Sequence, residues 1–154
     1  MAEIEIGAVA PAFELATNDG PVRLADLKGK PVVLYFYPKD DTTGCTREAQ
    51  DFTALAADFA KADVMVIGVS KDSLASHAKF TVKHGLNLPL GSDPDGAVIE
   101  AYGSWVEKTL YGRKYMGIDR STFLIGGDGK LVRIWRKVKT PGHAAEVLKA
   151  AQSL

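Results

Sequence analysis

The segment PVVLYFYPKDDTTGC, residues 31–45, joins an apolar run to the only cysteine in a chain of 154 residues. Residues 31–37 are apolar, β-branched or aromatic throughout, the pattern of a strand covered on both faces, and Pro38 stops it. After the PKDDTTG loop, Ala49, Phe52, Leu55, Ala56 and Phe59 recur at helical spacing, with Glu48, Asp51 and Asp58 on other faces. Cys45 thus lies where a buried strand turns into an amphipathic helix. In open α/β sheets that is where working sites form, beyond the carboxyl ends of the strands.

Reading outward from this unit gives the rest of the architecture. Towards the N-terminus, Thr17-Asn18-Asp19-Gly20 is turn chemistry and Val22-Arg23-Leu24 alternates like a half-buried strand, which predicts a hairpin. Towards the C-terminus, DVMVIGVS (63–70) reads as a second buried strand, and residues 72–85 as a helix with an acidic start and a glycine stop. NLPLGSDPDG (87–96) holds a short strand and a turn, and PDGAVIEAYG (94–103) a short helix. Gly103 to Asp119 reads as a loop rich in aromatic and basic residues. STFLIGGDGKLVRIW (121–135) predicts a hairpin turning at Gly126 to Gly129, followed by a helix over Pro141 to Gln152. This order implies one α/β domain over residues 1–154, with a central mixed β-sheet flanked by helices. It is the order of a thioredoxin-like fold with an extra N-terminal β-hairpin and an extra helix.

Composition narrows the function classes. Nineteen basic and nineteen acidic residues cancel, with no block of like charge, so neither nucleic acid nor an anionic membrane is expected as a partner. No stretch approaches the length of apolar sequence that spans a membrane. MAEIEIGAVAPAF carries two glutamates and no basic residue, against a secretory or transit peptide. A single cysteine excludes an internal disulfide, and the cytoplasm is the expected compartment.

What Cys45 would need in order to react can be put in numbers. A free thiol titrates near pH 8.5, so only a few per cent is thiolate at neutrality. Bringing a thiol down to about 6 takes about 3.4 kcal/mol. If Thr42 is the N-cap, the amides of Gly44 and Cys45 are among the unpaired donors of the first helical turn. A helix terminus supplies about 0.3–1 kcal/mol, up to about 2 when partly buried. A cation and a further donor are therefore required. A buried, inert thiol is the bland alternative.

These residues resemble those of a known family. Pro38, Thr42 and Cys45 form the PxxxTxxC pattern of peroxiredoxins, and RSTFLI (120–125) is similar to their second signature. LADLKGKPVVLYFYPKDDTTGCTREAQDF, YGRKYMGIDRSTFLI and KVKTPGHAAEVL extend the resemblance, to the bacterioferritin-comigratory or Q-type subfamily, from residue 3 nearly to the end. The resemblance implies a metal-free, cofactor-free thiol peroxidase acting on hydrogen peroxide and organic hydroperoxides. In it Cys45 attacks peroxide and becomes a sulfenic acid, and Arg120 supplies the missing cation. Thr42 would bond thiolate and peroxide, and the backbone amide of Cys45 would grip the peroxide, next to Gly44 in the same turn. Pro38 would shield the pocket, and Glu48 would orient the arginine. Arg47 reads as a solvent-facing helix residue rather than a minor electrostatic helper, the alternative its charge leaves open.

One departure has a mechanistic consequence. Many members carry a resolving cysteine at the position of Gln50, others in the following helix; here there is none. The resemblance then implies a one-cysteine mechanism, resolved by an external thiol such as thioredoxin, glutaredoxin or glutathione, in a monomer, with a dimer as the alternative.

Other motifs are set aside. Gly126 to Gly129 is a hairpin turn, not a phosphate loop. His77, His84 and His143 lack metal-ligand spacing and read as solvated or capping residues. Tyr102, Trp105, Tyr111, Tyr115 and Met116 form an aromatic group expected to pack over the sheet edge, or to dock a reductant or a second copy. Two rivals stand beside the peroxidase reading. A thiol–disulfide oxidoreductase would want CxxC, where this chain has TTGC. A binding module with an inert thiol would have no reason to pair Arg120 with PxxxTxxC.

Overall fold

The computed structural model describes residues 4–154. At its centre is a five-stranded sheet in the order β5-β4-β3-β8-β9. The strands are β3 (Val32–Phe36), β4 (Met65–Ser70), β5 (Leu90–Ser92), β8 (Ser121–Ile125) and β9 (Leu131–Trp135). β4 runs parallel to β3 and β5, while β8 is antiparallel to both β3 and β9, so the sheet is mixed. All five residues of β3 are buried, as its unbroken apolar run requires of a strand covered on both faces.

Period-two alternation divides this sheet between two cores. Val33, Tyr35 and Tyr37 point to one face and Val32, Leu34 and Phe36 to the other. The first face is covered by α1 (Thr43–Ala54), α2 (Ala56–Lys61), α3 (Leu74–His84) and α5 (His143–Gln152). The second is covered by α4 (Ala97–Ala101) and the N-terminal segment with its hairpin, β1 (Glu14–Leu15) paired to β2 (Val22–Arg23). Tyr35 stacks on Phe52 of α1 with ring centroids 4.8 Å apart. Across the ladder Tyr35 faces Gly68, where a Cβ would fall 2.6 Å from Cζ of the tyrosine. The glycine is what lets the ring lie flat over β4.

Three features differ from the sequence reading. The helical pattern after Cys45 is two helices, not one: Leu55 breaks it, its N–H bonding Phe52 C=O three residues back. Glu48, expected on a polar face, is buried at 1% exposure. Residues 103–119 are not a loop but a second hairpin, β6 (Trp105–Leu110) with β7 (Arg113–Ile118). Its turn is Tyr111-Gly112, both at positive φ, the backbone of a two-residue hairpin turn. The aromatic group accordingly splits: Tyr102 is buried with its hydroxyl donating to Pro11 C=O, Trp105 lies under Lys71 Nζ, and Tyr111, Tyr115 and Met116 are exposed.

No helix among the described residues is long and apolar enough to cross a membrane.

Candidate functional site

Sheet register explains how the site is assembled. β8 pairs antiparallel with β3 so that Ser121 faces Phe36. Arg120, just before β8, is therefore delivered beside the carboxyl end of β3, from which the chain enters the 38–42 loop and α1. Its backbone is held there by Val138 N–H donating to Arg120 C=O. The guanidinium reaches across with Nη2 3.3 Å from Cys45 Sγ and Nη1 donating to Glu48 Oε1 at 2.8 Å. Cys45 and Glu48 stand three residues apart in α1 and so share one helix face.

Charge at this face is strongly shaped by burial. Cys45 and Glu48 are each 1% exposed. Desolvation lifts the Glu48 carboxyl to about 7, against the opposing pull of Arg120. Its second oxygen, Oε2, has no partner among the described residues. Burial also works against the charge on Arg120, but Glu48 and Cys45 together outweigh it. The arrangement can hold an anion at sulfur and present a fixed cation to a second, incoming oxygen.

The remaining predicted residues occupy distinct places. Thr42 has extended backbone and its C=O accepts the first bond of α1, from Thr46 N–H. Its hydroxyl does not cap the helix; it donates to Lys39 C=O at 2.9 Å, and no bond joins it to Cys45. The amides of Thr43, Gly44 and Cys45 precede that first helical bond, as first-turn donors do. Gly44 lies against the arginine: a Cβ there would sit 3.2 Å from Arg120 Nη2. Pro38 is half-buried just past β3. Gln50 is exposed on α1, and Arg47, also exposed, pairs with Asp51 at 3.7 Å. Thr42, Gly44, Arg47 and Gln50 line one shallow depression with His84 and Thr140.

Two histidines are not the solvated or capping residues that spacing implied. His143 is buried at the start of α5 between the rings of Phe52 and Trp135, with Nε2 2.8 Å from Thr122 Oγ1. Burial holds its pKa below the ordinary histidine value. His77 is completely buried and bonded to Asp40, a residue the sequence reading passes over. The legible signal is that His77 falls three residues before Phe80 and three after Leu74, on the inward stripe of α3.

Comparison with known proteins follows the geometry. The family model described as AhpC/TSA matches residues 6–134. The chain is 51% identical to a putative peroxiredoxin bcp of Coxiella burnetii over 94% of this chain and 97% of that protein. It is 49% identical to peroxiredoxin Bcp of Bacillus subtilis, over 98% and 97%. Among solved structures, a Xylella fastidiosa PrxQ superposes with a TM-score of 0.92 at 39% identity, over 99% of this chain and 98% of that one. A Xanthomonas campestris bacterioferritin comigratory protein, described for its alkyl peroxide reduction activity, gives 0.89 at 43%, over 99% and 98%. These likenesses bear out the thioredoxin-like reading of the element order.

Proposed function

The chain belongs to the AhpC/TSA family and is a peroxiredoxin, a thiol-dependent peroxidase, and from that premise we propose that Cys45 is its peroxide-attacking residue, working by a one-cysteine cycle. The observation that carries the assignment is the contact of Arg120 Nη2 with Cys45 Sγ at 3.3 Å, in the first turn of α1.

In the oxidation step the Cys45 thiolate attacks one oxygen of a hydroperoxide. The S–O bond forms as the O–O bond breaks, the leaving oxygen keeps the electron pair and takes the peroxide's proton, and water or an alcohol departs. Sulfur is oxidised to sulfenate and the peroxide is reduced. Arg120 stabilises the charge that passes from sulfur to the leaving oxygen, and the amide of Cys45 grips the peroxide. Glu48 fixes the guanidinium from behind, and Pro38 limits water at the mouth. Gly44 admits the arginine. Thr42 would have to turn its hydroxyl from Lys39 C=O towards the substrate, a rotation about one side-chain bond.

The return needs two equivalents of thiol from outside the chain, since Cys45 is the single cysteine and Gln50 stands where a resolving partner would. The first thiol condenses with the sulfenic acid, releasing water and leaving a mixed disulfide; the second displaces it, restoring Cys45 and forming the external disulfide. Hydrogen peroxide and organic hydroperoxides are the proposed substrates. The proposed reductants are thioredoxin-, glutaredoxin- or glutathione-type thiols, the proposed working form is a monomer, and the proposed compartment is the cytoplasm, where such thiols are kept reduced.

Replacing the nucleophile tests the assignment. Cys45→Ser should keep the far-UV spectrum and lose all peroxide consumption; retained consumption would contradict it.

A further inference from the structure

The loop that leads from β3 into α1 is held by a buried polar cluster that makes no contact with the sulfur. The Asp40 carboxylate accepts three hydrogen bonds: from Tyr37 Oη at 2.5 Å, Ser76 Oγ at 2.8 Å and His77 Nδ1 at 2.7 Å. Burial alone would raise its pKa, but these donors outweigh burial and hold it below the usual carboxylate value. The Asp40 N–H donates to Asp72 Oδ2 at 2.8 Å, which also takes Ser70 Oγ at 2.6 Å. On its other side His77 Nε2 lies 3.0 Å from Gly91 C=O of β5. Both ring nitrogens are thus engaged by oxygen atoms, one on the loop and one on the sheet.

Ligand atoms of Asp40, Asp72 and His77 lie within 4.8 Å of one another. Each is nonetheless engaged by protein donors or acceptors, and the two imidazole nitrogens face two different oxygens rather than a common centre. The cluster is a tether rather than a metal cage. It anchors the loop to α3 and the sheet at once. A second anchor follows directly: Asp41, a non-glycine residue at φ 60, accepts from Lys83 Nζ and His84 Nε2, both at 2.7 Å. A side chain in the left-handed region costs conformational energy and persists where the surroundings fix it.

We propose that Asp40 and His77 are a positioning pair for the peroxidase reaction: through their buried contact α3 fixes the loop whose end sets the first-turn amides of α1 and the sulfur of Cys45 against Arg120. The proposal rests on the reading of Cys45 as the attacking residue. Asp40 precedes Cys45 by five residues, with Thr42 and Gly44 between them, so a shift at Asp40 is passed along a short backbone. Small displacements of a reacting group are costly: about 1 Å is worth on the order of 100-fold in rate.

The test uses the reduced full-length protein with hydrogen peroxide, following the second-order rate constant of Cys45 oxidation across pH, alongside thermal melting. Asp40→Asn puts an amide donor where His77 and Ser76 already donate, and His77→Gln removes the ring. Each should slow oxidation roughly 10- to 100-fold and move the midpoint of the pH–rate profile upward, at temperatures where the protein is fully folded. The double variant should be no slower than the worse single one, as expected of residues acting as a unit. Ser76→Ala, at a half-buried position, should move rate and midpoint in the same direction by less. Variants that melt earlier but keep the wild-type rate constant and midpoint would overturn the proposal, leaving the pair a purely structural one. If His77→Gln does not fold, Asp40→Asn and Ser76→Ala decide by the same criteria. A wild-type protein inert to peroxide would instead overturn the Cys45 assignment, and this inference with it.

Discussion

Arg120 and Cys45 stand 75 positions apart in sequence, and the antiparallel register of β8 on β3 brings guanidinium Nη2 to 3.3 Å from Sγ. One planar group thereby serves sulfur with one nitrogen and Glu48 with the other. Lysine has a single point charge and cannot do both. Arg120→Ala and Arg120→Lys are each expected to slow the oxidation step by about 100- to 1,000-fold and to move its pH midpoint upward. Stopped-flow mixing with hydrogen peroxide checks this; rates equal to wild type would remove arginine from the mechanism.

Glu48 gives a prediction in pH. Its folded-state pKa is about 7, raised from 4.5 by burial. The folded protein therefore binds more protons than the unfolded chain between those values. This group's contribution to stability is fully present below 4.5 and lost as pH rises through about 7. The loss is on the order of 3 kcal/mol. Glu48→Gln removes it, so urea titrations should find the variant gaining on wild type between pH 5 and pH 8. Parallel stability profiles would contradict the burial argument.

Gly44 is a steric prediction. A methyl group there would lie 3.2 Å from Arg120 Nη2, so the guanidinium must retreat by a few tenths of an ångström. Gly44→Ala should leave thermal stability almost unchanged and lower the peroxide rate constant roughly tenfold. An unchanged rate constant would show that the arginine yields freely.

Gly68 tests packing away from the chemistry. Its added Cβ would fall 2.6 Å from Tyr35 Cζ, and the tyrosine cannot retreat because Phe52 is stacked on it at 4.8 Å. Gly68→Ala should destabilise the fold by about 1–3 kcal/mol, with partial recovery when Tyr35→Leu is added. Additive losses in the double variant would argue against the clash.

The legible part of this molecule is the part written in local pattern. The all-apolar run of β3, the glycine stop of α3 and the GGDG turn of β8–β9 each follow from nearby residues. Cys45 stands out for its place at a strand-to-helix junction. Arg120 is different: nothing local marks it, and only its resemblance to a signature picked it out. What escaped has a common cause. Glu48, His77 and His143 are polar residues on inward faces, each bonded to a partner far along the chain. Polarity argued for exposure while helical phase argued for burial, and phase prevailed. The β6–β7 hairpin escaped because its strands are mostly solvent-facing and carry little of the buried alternation that identifies a strand.

The near-total burial of Cys45 bears most on how the sulfur is regenerated. A thiol-bearing protein or a bulky alkylating reagent meets a sulfur that is only 1% exposed. On the one-cysteine cycle proposed above, regeneration by a protein thiol calls for local opening around the sulfur, a step that a small hydroperoxide needs far less. Regeneration should therefore carry the steep temperature dependence of a partial unfolding, while peroxide capture stays shallow.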